Sequence, residues 1–123
     1  MSHTNNWETN GLYRKFSGIL CGDEILNSNF ELHTDPRFQD IKYIINDFLD
    51  VTEFSIKTTH TSAYAKSDEI ISNAKIKLRI AILVTNPELI DLANDYRNKM
   101  KDCSFDCEIF QTVEEARKWA YNY

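Results

Sequence analysis

The sequence predicts an α/β domain built on a mixed, mostly parallel sheet. Three observations carry this. Two short apolar runs, "KYIINDF" (42–48) and "LRIAILVT" (78–85), read as strands covered on both faces, as inner parallel strands are. Helical segments alternate with the strand-like ones and the chain closes on a helix, the order expected of crossover connections. An Asn10-Gly11 pair near the start marks an N-terminal β-hairpin.

Each element follows in order. In "WETNGLYRKFSGIL" the Asn10-Gly11 pair predicts a type I′ turn, whose two central residues take positive φ. Trp7 sits on the first arm, an antiparallel edge. On the second arm Leu12, Arg14, Phe16 and Gly18 share one face, and Tyr13, Lys15, Ser17 and Ile19 the other. "GDEILNSNFELHTDP" predicts a helix with Gly22 or Asp23 near its start and Ile25, Leu26, Asn29 and Phe30 on one side. It stops at Asp35-Pro36, because a residue before proline avoids the α region. After strand 42–48, hydroxyls and acids run as loop to about residue 62. Residues 62–74 predict a weaker helix with Ala63, Ser67, Ile70 and Ala74 in register. Beyond strand 78–85, Asn86 caps and Pro87 opens a helix, while Thr85 and Glu88 offer a competing capping box. Leu89, Ala93, Tyr96 and Met100 fall at helical spacing on it. "SFDCEIF" (104–110) alternates Phe105, Cys107 and Ile109 inward. Thr112-x-x-Glu115 is a capping box for a last helix with Val113, Ala116 and Ala120 on one stripe. The sum is about four helices in one domain over 7–123, with 1–6 expected to be disordered.

Charge and composition narrow the function classes. The chain has 123 residues and a net charge of −5, from 14 basic and 19 acidic side chains. Its scattered lysines and arginines exclude a general nucleic-acid binder, which needs clustered cations to displace counterions. Three cysteines do not make a disulfide framework, and no N-terminal apolar run suggests a signal peptide, so a reduced, cytoplasmic setting is expected. No window approaches the roughly 18 apolar residues of a membrane span. The three histidines are far apart and Cys103-x3-Cys107 lacks partners, so no metal site is expected. No Gly-rich phosphate loop, nucleophile elbow or dinucleotide fingerprint is present, and no cofactor is expected.

The segments "FSGIL", "DPRF", "IINDFLDVT", "IAILVT" and "FQTVEEARKWA", in this order over residues 7–121, resemble the SpoIIAA-like (STAS-like) domains. The nearest likeness is to the bacterial SpoIIAA-like proteins of uncharacterised function. In the anti-anti-sigma branch of the family the strand matching "IINDFLDVT" is followed by Asp-Ser-Ser-Gly, whose first serine accepts a phosphate. Here Ser55 falls where the aspartate stands and Ile56 where the serine stands, with no glycine after them. The resemblance therefore implies a fold, and not that phosphoryl switch. Ser55, Thr58 and Thr59 stay as neighbouring candidate phosphoacceptors.

Open parallel sheets bind ligands beyond the carboxyl ends of their strands. That end carries Asp47, Asp50, Thr52, Ser55, Thr85, Asn86 and Thr112, the predicted ligand-binding set. Capping by Thr85, Asn86 and Thr112, and turn formation by Asp47, account for the same residues without a ligand. The expected function is a small non-enzymatic regulatory or binding module, acting through a protein partner or a small ligand; a homodimer through an edge strand or helix face fits such a sheet. The alternative is a lipid-like small-molecule carrier, as the related CRAL-TRIO folds imply, with Phe30, Phe38, Tyr43, Phe48, Phe54 and Tyr64 lining an apolar pocket. Core packing also explains those aromatics. A third reading is an enzyme using Asp47 with His60 or Ser55. His33, at the end of a predicted helix, is accounted for by the helix dipole alone.

Overall fold

The computed structural model describes residues 3–75 and 77–123. It contains a five-stranded sheet in the order β1-β2-β3-β4-β5: β1 (His3–Trp7), β2 (Gly11–Cys21), β3 (Tyr43–Ser55), β4 (Arg79–Leu83) and β5 (Asp106–Phe110). β1 pairs antiparallel with β2, and the other three pairings are parallel. The helices are α1 (Gly22–Thr34), α2 (Thr58–Ile71), α3 (Pro87–Lys99) and α4 (Val113–Ala120), with a 3-10 turn at Pro36–Asp40.

Each parallel crossover advances the sheet in the same direction, so crossovers of one hand lay their helices on one face. Side chains of α1, α2 and α3 accordingly join one core with Leu12, Phe16, Leu20, Ile44, Ile80 and Ile82. α4 follows the last strand and covers the opposite face, where Ala116 and Ala120 pack on Tyr43, Ile45 and Ala81. The inner pair β3 and β4 is buried on both faces, as its apolar runs predict; Ile45, Ala81 and Leu83 are inaccessible to solvent. α3 starts as expected, with the Asn86 side chain accepting from the backbone N–H of Glu88 at 2.9 Å and of Leu89 at 3.2 Å. At α4, Thr112 Oγ1 accepts from Glu115 N–H at 3.3 Å.

Four expectations change. First, Asn10 and Gly11 have no positive φ, which among the described residues belongs to Gly18 alone, so the hairpin does not turn through a type I′ pair. Gly11 instead lies in β2 because it has no room for a side chain: a Cβ there would sit 2.3 Å from the Tyr43 ring. Gly18, at φ 69°, lies at a register shift between β2 and β3. Second, β1 begins at His3, so residues 3–6 are strand and not a disordered tail; Met1 and Ser2 lie outside the described residues. Third, β3 continues to Ser55, through the stretch expected to be loop. Beyond Asp47 it pairs with β2 alone, forming a two-stranded extension past the end of β4. Fourth, α2 starts at Thr58 and buries Thr61, Tyr64, Ala65 and Asp68, leaving Ile70 60% exposed; on α1, Phe30 is half exposed while Ser28, Asn29 and Leu32 face inward.

Candidate functional site

Strand alternation sends Leu12, Arg14 and Phe16 of β2 toward α1, α2 and α3. Arg14 is thereby carried into the larger core, 3% exposed. Its Nε donates to Asn46 Oδ1 on β3 at 2.9 Å and its Nη1 to Ser28 Oγ on α1 at 2.6 Å. Both acceptors are neutral. Among the described residues no carboxylate lies within 4.0 Å of the guanidinium, and no fully buried side-chain nitrogen or oxygen lacks a hydrogen-bond partner. Burial lowers its pKa from 12.5 to about 10, opposed by the charge of Asp68 acting from further away.

Asp68, 6% exposed on α2, has other partners. Its Oδ2 accepts from the Tyr96 hydroxyl of α3, and its Oδ1 lies 3.3 Å from His33 Nε2 of α1. One carboxylate thus ties three helices together. Burial first, and then the charge of Asp68, push the Tyr96 hydroxyl well above its ordinary value, so it stays a donor. His33 is held by this contact, which the helix dipole alone did not suggest.

These groups border a cavity of about 80 Å³ between the sheet and the three helices. Arg14, Asn46, Asp68 and Tyr96 contribute to its wall, and the rest is mainly aliphatic, including Ile44, Ile82, Val84 and Leu89. Phe48, Ile56 and Leu92 also line it and are half-buried, so the wall reaches the surface at their end. A mostly apolar hollow with a few converging polar groups is the general form of a small-molecule site.

The residues predicted at the strand ends are spread out. Asp47, 2% exposed, faces the α4 side, where it accepts from Tyr13 O–H at 2.5 Å and Leu49 N–H at 2.8 Å. Asp50 pairs with Lys15 at 2.8 Å on the surface. Thr52 and Ser55 lie exposed along the β2–β3 extension; Ser55 is eight residues past Asp47, about 26 Å along an extended strand. Thr85 is exposed, and Asn86 and Thr112 cap their helices. Thr58 and Thr59 are exposed in the first turn of α2. His60 sits on the α1 side, its Nδ1 accepting from Lys57 N–H at 3.0 Å and its Nε2 3.3 Å from Asp23 Oδ1. Asp47 on one face therefore meets neither His60 nor Ser55. Of the six aromatics, Phe48 and Tyr64 border the cavity, Phe38 is core, Tyr43 lies on the opposite face, Phe30 is half exposed and Phe54 packs on the edge of the larger core.

No family model matches the chain, and no curated protein matches it in sequence. Among solved structures it is similar to the crystal structure of an uncharacterized DUF3478-family protein from Shewanella loihica, described as having a SpoIIAA-like fold. The TM-score is 0.56 at 12% identity, over 96% of this chain and 91% of that one. The chain has the SpoIIAA-like fold. At that identity the likeness concerns backbone topology, and the side chains of the cavity stand on their own geometry. No helix among the described residues is long and apolar enough to cross a membrane.

In this SpoIIAA-like domain, sequence reasoning missed Arg14 and Asp68 as site residues. A signal for each was present. Arg14 stands between Leu12 and Phe16 on a period-two apolar face, and Asp68 stands four residues after Tyr64 and three after Ala65, at helical spacing. A charged residue at a core-facing position is the informative exception.

Proposed function

We propose that the chain is a non-enzymatic binding module that takes a small ligand into the cavity between the sheet and helices α1–α3. The observation that carries this is the cavity itself, about 80 Å³ of space with a buried guanidinium in its wall. Interiors ordinarily close such space, since a void forfeits packing contacts. Size separates this reading from a lipid-like carrier: drug-sized ligands occupy roughly 300–1,000 Å³. A protein partner has weaker support. The large exposed apolar residues within the elements, Ile19, Phe30 and Ile70, stand on different elements, β2, α1 and α2.

The test is a methyl-labelled NMR titration with a panel of small organic fragments, using xenon as a control for open space. Saturable shifts at the methyls of Ile44, Ile80, Ile82, Val84 and Leu89 support the module. A panel that leaves those methyls unmoved overturns it.

A further inference from the structure

We infer that the ligand is a small organic monocarboxylate whose carboxylate pairs with Arg14, an inference that rests on the binding-module reading above. A guanidinium in the interior needs a counter-charge or a full set of acceptors. Arg14 has no counter-charge at contact distance: two neutral acceptors take Nε and Nη1, and no carboxylate of the described residues lies within 4.0 Å. The one buried acid nearby does not fill the gap, since the oxygens of Asp68 face Tyr96 and His33. The bonds to Asn46 and Ser28 also fix the plane of the guanidinium fork, which suits a planar, bidentate acceptor.

Charge and size set the class. A dianion would carry one charge more than Arg14 neutralises into an aliphatic wall that already holds Asp68. A monoanion balances Arg14. A cavity of about 150 Å³ holds benzene, and this one, at about 80 Å³, is roughly half that. Scaled from benzene's six non-hydrogen atoms, the ligand has on the order of three to five. Its short alkyl part would lie against the aliphatic wall that includes Ile44, Ile82, Val84 and Leu89.

Propionate and its neutral near-isostere propionamide are the probes, titrated into the full chain and followed at the cavity methyls and by calorimetry. Propionate is expected to bind about tenfold tighter or more, the difference a charge-assisted pair makes. Arg14→Met is expected to abolish that preference, with its fold checked by circular dichroism, and Arg14→Lys to keep part of it. Equal or tighter binding of propionamide, or unchanged propionate affinity in a folded Arg14→Met, overturns the carboxylate assignment and leaves the binding module standing. Binding of neither probe, with xenon also excluded, removes both. Should Arg14→Met fail to fold, the propionate-to-propionamide ratio in the wild type decides alone.

Discussion

Replacing Arg14 by methionine tests whether the buried guanidinium is there for stability. The drop in its pKa from 12.5 to about 10 means that the interior disfavours its charged form by about 3 kcal/mol. Arginine is charged at neutral pH in both states, so folding bears that penalty in full. Methionine removes it and fills irregular space with a flexible side chain. Against this, Asn46 and Ser28 each lose a hydrogen bond, about 1 kcal/mol apiece. The attraction of the distant Asp68 is already contained in the lowered value, and Asp68 keeps Tyr96 and His33 as partners in the variant. The expected sum is a variant as stable as the wild type or more stable by up to about 1 kcal/mol, a rise of a few degrees in Tm for a domain of this size. Urea melts at pH 7 and 25 °C measure it, with the slope checked for two-state behaviour. A loss of about 3 kcal/mol or more would show Arg14 to be the structural partner of Asp68, and the argument from an unmatched charge would fail.

Gly11→Ala should destabilise by about 1–3 kcal/mol, because the added Cβ meets the Tyr43 ring at 2.3 Å and that ring is tethered to Glu8 by its hydroxyl at 2.5 Å; an unchanged melt would refute the close approach. The hydrogen bond from Arg117, joined by that from Tyr43, holds the Glu8 carboxyl below its ordinary 4.5 despite partial burial. A lowered acid contributes stability that is full above pH 4.5 and fades as pH falls through the lowered value, so Glu8→Gln should flatten the acid limb of the wild-type stability curve while both remain folded. Burial pushes the Cys107 thiol up to about 12, whereas Cys21 is exposed. Iodoacetamide at pH 8 should therefore label Cys21 in the folded protein and spare Cys107 until denaturant is added, which peptide mass spectrometry reads directly.

Parts of the fold were legible because local and global signals agree there. "IAIL" is apolar on both faces in sequence and in the sheet, and Asn86-Pro87 and Thr112-x-x-Glu115 open helices by side-chain chemistry that needs no tertiary context. The extension of β3 was not legible. Residues 48–55 pair only with β2, past the end of β4, and their acids and hydroxyls carry no continuous apolar signal. The frame of α2 was misread because its inward positions hold Thr61 and Asp68, polar groups that Asp95 and Tyr96 satisfy from α3. The cavity was beyond reach for a different reason: it is the volume left over when side chains from six elements meet, and hydrophobic periodicity does not encode leftover volume.

One residue of strand alternation separates the predicted strand-end set from the cavity. Phe48, on β3 at the level where its pairing with β4 ends, and Val84, just past β4, line the cavity, and their immediate neighbours are Asp47 and Thr85. The predicted end of the sheet and the wall of the cavity therefore coincide along the strands and differ in face: Asp47 points to Tyr13 and α4, Phe48 to the three-helix side. The rule that open parallel sheets bind beyond their carboxyl ends names an end and leaves the face open. Here the faces differ in depth. α4, eight residues long, covers one side with Ala116 and Ala120, whose small side chains let it close on Tyr43, Ile45 and Ala81. The other side carries three longer helices tied to one another by the Asp68 contacts to His33 and Tyr96, and the cavity lies between those helices and the sheet.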